Sequence, residues 1–593
     1  MRTSLANKKY IAATKAYDSG RVERAEALYR QALLLDRCHV PSYQMLGLLL
    51  SQTRRQQEAL DLLRSAVESS PGQVHHLLNL AMVLWAQGKV DEFLSTVRKA
   101  VDLRPDLAES HINLGHGLRK SGDYVGAVAA YRRADLLEPD KPELQNDLGV
   151  ALAESGRMDE SISHLRAATT RWPACPELQN NLGNALRETG RSEEAISCYD
   201  RALELRSNYP EANNNRGAAL QDLCDLDGAI SAYHQALRLR PQYAAAKYNL
   251  ATAMLTIGEF SDAWQYYEAR WEATPTPRRW TCSQPLWDGR PLKDSTILLH
   301  TEQGYGDSIQ FVRFAEDVVA RVGKVLLLCG VSLKRLFLSV KGTAGVFTEG
   351  DELPPFDCHC PLLTLPKIFG VTLATIPRSI PYLAPQAPDI GRWRTRLGCR
   401  SDKMRVGLAW AGRQWPYHNR KRSIGLAALA PILSVPGIEC FSLQFGAGSE
   451  QTAEYSSREG LIDLTDEHRD FADTAALVSQ LDLVITCDTA VAHLAGALAI
   501  PVWVALPYAA DWRWLLIRED SPWYPTMRLF RQKKPNDWSA PVAEIKAAIV
   551  AILSSKAKSD VMPGITSTAS PAELGVGSYT FLNTERKRPC SGC

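Results

Sequence analysis

The sequence predicts an α-solenoid of paired antiparallel helices followed by two parallel α/β lobes. Three observations predict it. A period of 34 residues runs from the N-terminus to about residue 272, which marks a stack of repeats rather than one closed core. The period stops at Ala273, where a Pro-rich stretch takes over. Beyond it, short apolar runs of strand length alternate with Gly-rich turns and helical segments, the pattern of parallel α/β units.

The composition is compatible with that division. The 593 residues exceed what one core can organise, and the 45% hydrophobic and 23% charged fractions are those of a globular chain. Lys and Arg number 68 against 66 Asp and Glu, so no net positive field draws the chain to nucleic acid. The N-terminus lacks the continuous apolar stretch of a secretion signal, and no apolar run approaches a membrane span. A cytoplasmic protein is expected. The 13 cysteines have no framework spacing, and Cys358-His359-Cys360 and Cys590-Ser-Gly-Cys593 have no second ligand pair at zinc-site distance, so no metal is expected.

In the repeat region (1–272, about eight units), Gly115, Gly149, Gly183 and Gly217 keep the period, as do Pro71, Pro105, Pro139 and Pro173 and the alanines from Ala32 to Ala236. The small first-helix residue is expected to meet the small second-helix residue (Ala59, Ala127, Ala195, Ala229). Tyr29, Leu63, Tyr131, Leu165, Tyr199 and Tyr233 are expected to fill the space against the following repeat. Proline ends the second helix because it lacks an N–H and clashes with the preceding turn. The pattern resembles the tetratricopeptide repeat, which implies a right-handed superhelix with a concave inner face.

A second column bears on function. Asn79, Asn113, Asp147, Asn181, Asn215 and Asn249 fall two residues before the small first-helix position of successive units. Asn is a poor interior helix former, so the column is either tolerated at an exposed inner position or lines the groove with amides that grip an extended polypeptide by its main chain. It is similar to the asparagine ladder of the O-GlcNAc transferases, which implies a protein acceptor.

A connector (273–293) leads to the first lobe (294–395). Its strand Thr296–His300 is followed by Thr301-Glu-Gln-Gly-Tyr-Gly-Asp307, a helix over 308–320 and a strand Val325–Cys329. The second lobe (396–539) reads as strand Arg405–Trp410, helix 423–433, strand Glu439–Leu443, helix 474–480, strand Leu483–Thr486, a helix from Ala490 and strand Val502–Ala505. A closing helix is predicted over 540–554, capped by Ser539, and a disordered tail over 555–593. Ligands of open parallel sheets bind at the carboxyl ends of the strands.

Three groups of residues fall there. Gly304-Tyr-Gly306-Asp307 offers backbone room and a carboxylate at a helix start, which is either a helix cap or a base for an acceptor hydroxyl. Gly412, then Arg420-Lys-Arg422-Ser423 before a helix, offers cations and free N–H groups to a diphosphate. Asp488, Thr489 and His493 sit at a strand end and in the first turns of the next helix. Gly306-Asp307 and Asp488-Thr489-x-x-x-His493 resemble the two signatures of the lipopolysaccharide heptosyltransferases, over roughly residues 294 to 535, with Ala490 where that family has Gly.

This resemblance implies a GT-B fold of two Rossmann-like lobes, Asp307 as base, diphosphate contact by Arg420, Lys421 or Arg422, and donor contact by Asp488, Thr489 and His493. The whole chain is similar to bacterial tetratricopeptide glycosyltransferases. The expected activity is transfer of a sugar from a nucleotide-diphosphate donor to a protein, without metal or other cofactor. A transferase acting on a cell-surface glycan or lipid precursor and a scaffold with a degenerate transferase half are the alternatives.

Overall fold

The computed structural model describes residues 2–53, 55–273, 280, 282–412, 422–456 and 460–561. The predicted tail, Arg420, Lys421, Cys590 and Cys593 fall outside the described residues, apart from the first residues of the tail.

Helices pair antiparallel from Arg2–Asp18 with Val22–Leu35 to Ala244–Ile257 with Phe260–Tyr267, eight pairs among the described residues, and a short turn Arg270–Ala273 closes the stack. The second-helix alanines Ala59, Ala127, Ala195 and Ala229 are fully buried. The small first-helix residue, however, mostly meets the aromatic or aliphatic residue of its own repeat. A Cβ at Gly183 would lie 2.6 Å from the Tyr199 ring, and one at Gly217 2.6 Å from the Tyr233 ring. The tyrosines therefore lie across the glycines of the same unit, and at Gly47 the Ala59 carbonyl would also be 3.2 Å away. The volume is shared locally: where the glycine is Ala81, the partner position holds Val97, also fully buried.

The first lobe is a parallel sheet of β1 (Leu292–His300), β2 (Val322–Cys329), β3 (Thr343–Thr348) and β4 (Cys358–Pro361), in the order β3-β2-β1-β4. The second holds β5 (Met404–Ala409), β6 (Ile438–Ser442), β7 (Leu461–Ile462), β8 (Leu483–Cys487), β9 (Val502–Leu506) and β10 (Met527–Arg531), parallel and ordered β10-β9-β8-β5-β6-β7. Near-continuous burial along β5, β8 and β9 follows from helices covering both faces.

Two boundaries differ from the sequence reading. The helix Ala387–Leu397 straddles the expected lobe division, because its Asp389 and Arg392 bond to Arg469 and Asp473 of the second lobe while Asp389 also pairs with Arg335 of the first. The closing helix runs Ser539–Val561, and Val542, Ile545 and Ile549 pack in the core of the second lobe with Leu426 and Leu429. Ser539 stands inside it, bonded through its N–H to Asp537.

The last repeat docks on both lobes. Trp264 Nε1 donates to the Val371 carbonyl of the first lobe at 2.8 Å, and Phe260, Trp264 and Tyr267 pack edge-on against Trp512 of the second. Gly217→Ala is expected to cost about 1–3 kcal/mol in chemical unfolding, through overpacking against Tyr233. Adding Tyr233→Val, the Ala81/Val97 pairing, should give a double-variant loss smaller than the sum of the two single losses.

Candidate functional site

Because both sheets are parallel, the turns after β1, β5, β8 and β9 lie at carboxyl ends. The turn after β1 starts the helix Tyr305–Phe311, with Asp307 in its first turn. Gly304 N–H donates to Asp307 Oδ2 at 3.0 Å, so part of the cap reading holds. Asp307 Oδ1 accepts from Arg513 Nη2 at 2.5 Å, across the lobes. Arg513 is buried, and also donates to Gln310 Oε1 at 2.7 Å and Asp511 Oδ1 at 2.8 Å.

The turn after β8 holds Asp488 and Thr489 ahead of the helix Ala490–Ala497. Asp488 is buried, with Arg422 Nη1 3.6 Å from its Oδ2, an oxygen that has no hydrogen bond. Burial is the largest influence on Asp488 and raises its carboxyl above the ordinary range, against the pull of Arg422. Arg422 is raised chiefly by Asp488, and Asp511 and Asp307 act in the same direction, which ties the four charges into one field. Thr489 Oγ1 bonds Thr486 Oγ1 at 2.9 Å instead of capping the helix, so no side chain caps that N-terminus.

His493 lies at the lobe junction, buried, with Nδ1 3.0 Å from Tyr524 OH and its ring stacked on Trp514. Burial first, then the Arg513, Arg313 and Arg422 charges, hold it well below the usual histidine range. The two sequence signatures meet at this ring. A Cβ on Gly306 would come within 2.9 Å of His493 Cδ2 and 3.5 Å of Ala490 Cα. The backbone room at Gly306, expected to serve a donor, is thus taken by His493 and Ala490. Gly412 and Arg422 border the segment outside the described residues, and Ser423 follows Arg422. The helix expected to start at Ser423 begins at Leu426 after Gly425 (φ 79°), and its first N–H donates to Gln451 Oε1 at 2.8 Å. That N–H is engaged within the protein.

The amide column is a connected ladder in the later repeats. Asn249 Nδ2 donates to Asn214 Oδ1 (3.0 Å), Asn214 to Asn215 (3.3 Å), Asn215 to Asn180 (3.0 Å), Asn180 to Asn181 (3.1 Å) and Asn181 to Asn146 (2.7 Å). Each of these rungs spends one donor on its neighbour, and Asn214, Asn215, Asn180 and Asn181 also accept a bond on Oδ1, which fixes the amide planes. Asp147 is instead bonded by His116 Nε2 at 2.8 Å. Asn79 and Asn113 are half-buried like the others. The ladder residues Asn180 and Asn215 line a cavity of about 740 Å³ with Arg206, Tyr209, Arg240 and Tyr243.

The last rung reaches the lobe junction. The neighbour of Asn249, Tyr248, has its phenol pushed up to about 12, mainly by burial, with Asp511 and Asp307 adding to it. Asp511, Arg513, Trp514 and Tyr524 were not singled out by the sequence. The available signal was Asp511-Trp-Arg-Trp514, an acid, a base and two aromatics in the turn after β9. Cys358 and Cys360 are buried on β4, while His359 between them faces the other way, 3.1 Å from His300 Nε2.

No helix among the described residues is long and apolar enough to cross a membrane. Family models described as tetratricopeptide or TPR repeats match residues 12–73, 45–108, 112–176, 183–223 and 222–281. The N-terminal half thus carries such repeats, which suggest a protein-interaction scaffold. The chain is similar to protein FlbA of Caulobacter vibrioides, 26% identical over 322 residues, which span 50% of this chain and 53% of that relative. Among solved structures, a tetratricopeptide repeat protein from Parabacteroides merdae is 15% identical with a TM-score of 0.38, over 42% of this chain and 98% of its own. Yeast Tom70 is 17% identical with a TM-score of 0.35, over 46% of this chain and 61% of its own.

Burial lowers His300 to about 3 and His468 to about 4, as it lowers His493. These rings stay neutral in the fold while the unfolded chain protonates near pH 6.5, so their contribution is complete above that pH and is lost as pH falls below it. Unfolding free energy should drop from pH 6.5 toward 4 by up to about 1.4 kcal/mol per pH unit for each histidine. Denaturant titrations at several pH values check the slope, and His300→Asn should reduce it.

Proposed function

We propose that the chain is a glycosyltransferase that moves a sugar from a nucleotide-diphosphate donor to a protein acceptor lying along the repeats. The observation that carries this reading is the convergence of Asp307, from one sheet's carboxyl edge, with Arg422, Asp488 and Arg513 of the other lobe in one charge network, in which Asp488 and Arg513 are buried and Asp307 and Arg422 partly exposed.

The chemistry follows from those groups. An acceptor hydroxyl attacks the anomeric carbon, its oxygen forming the new bond as the bond to the β-phosphate oxygen breaks. The Asp307 carboxylate is suited to take the hydroxyl proton, and Arg513 fixes its orientation. Negative charge grows on the leaving diphosphate. Arg422 and the uncapped N-terminus after Thr489 are the groups able to stabilise it. Asp488, itself buried, holds the partly exposed Arg422 by charge. The amide ladder supports a protein acceptor, because amides fixed in plane recognise main chain without regard to side chains.

The test is thermal stabilisation of the purified chain by UDP-, GDP- and ADP-sugars, followed by transfer assays with the donor found. A donor at 100 times its Kd should stabilise the fold by about 2.7 kcal/mol. Asp488→Ala should abolish that shift. Asp307→Asn should keep it and lower transfer by about 10²-fold or more. Folded protein that no donor stabilises would leave the repeat scaffold as the function.

A further inference from the structure

The superhelix ends in a buried arginine. Arg270, the first residue of the turn Arg270–Ala273, is 0% exposed, and Glu302 of the turn between β1 and Asp307 has a side chain 1% exposed. Arg270 Nε donates to Glu302 Oε2 at 3.1 Å and Nη2 to Oε1 at 3.0 Å, a two-pronged pair. Glu268 Oε1 accepts from Nη1 at 2.6 Å, Thr364 Oγ1 from Nη2 at 2.8 Å, and Leu363 N–H donates to Glu302 Oε1 at 3.1 Å. The pair is thus satisfied from three elements: the end of the repeats, the turn after β1 and the segment after β4.

We propose that Arg270 and Glu302 are positioning residues that lock the Asp307-bearing turn to the last repeat, so that acceptor groove and reacting carboxylate share one frame. The proposal rests on the transferase reading for the role of Asp307.

The reasoning is geometric. A bidentate guanidinium–carboxylate contact fixes the plane of both groups as well as their distance. A buried ion pair is a poor source of net stability, since apolar residues of the same volume serve as well. Its specific effect is orientation. Glu302 precedes Asp307 by five residues, with Gly304 between them. The turn is therefore held at one end by the repeats through Arg270 and at the other by the second lobe through Arg513 and Asp307. Releasing the first tether leaves Gly304 free to let the turn pivot about the second.

The experiment uses the full chain with Glu302→Gln, Arg270→Lys and the milder Thr364→Val, which removes one hydroxyl from the cluster and serves if the others fail to fold. Hydrogen exchange is followed on peptides covering 298–308 and on peptides covering β2 and β8. In the variants, amides of the turn should exchange about tenfold faster or more while those of β2 and β8 keep wild-type rates. Nucleotide-sugar Kd should stay within about twofold and kcat fall about tenfold, with Arg270→Lys intermediate. Unchanged exchange in the turn, or acceleration spread evenly over both lobes, would overturn the proposal. If the wild-type chain binds no donor, the transferase reading fails alone, because the exchange result still decides whether the pair orders the turn.

Discussion

The structure depends on the seam where the last repeat meets both lobes. Trp264 bonds the first lobe through its indole N–H and packs edge-on with Trp512 of the second, while Phe260 stacks on Trp523. Aromatic side chains bury large areas and prefer offset or edge-on geometries, so a cluster of them specifies an angle as well as an attraction. Without this wedge a superhelix and two lobes would be separate bodies on a connector. With it, the inner face of the repeats ends at the lobe junction.

That constraint explains how the polar groups are arranged. Two arginines enter the seam, each with its donors hydrogen-bonded. Arg513 takes Asp307, Asp511 and Gln310, and Arg313 donates to the carbonyls of Pro377 and Trp523. Asp488 Oδ2 lacks a hydrogen bond at the place where the leaving diphosphate would be handled.

Much of this was legible in the sequence, for reasons that can be named. The repeats were, because a 34-residue period is enforced by stacking identical units, and the edges of β5, β8 and β9 were readable because strands buried on both faces are continuous apolar runs. The meeting of Gly306 with His493 was not, since nothing local tells a glycine needed for a ligand from one needed for a neighbouring ring. Tyr199 lying over Gly183 was missed in the same way. Arg513 and Glu302 were invisible because their partners are 206 and 32 residues away, and neither forms a local motif. β7, a two-residue strand, and β4, carrying Cys358-His-Cys360, lacked the length or composition that marks a strand.

The proposed transfer requires a site for a nucleotide diphosphate at the lobe junction. A crystal structure of the chain with the stabilising nucleoside diphosphate bound tests it most directly. The diphosphate should lie against the N-terminus of Ala490–Ala497 with Arg422 in contact and Asp307 on the open side. Nucleotide found elsewhere, with the Asp307, Arg513 and Asp488 network unaltered and unreached, would contradict it.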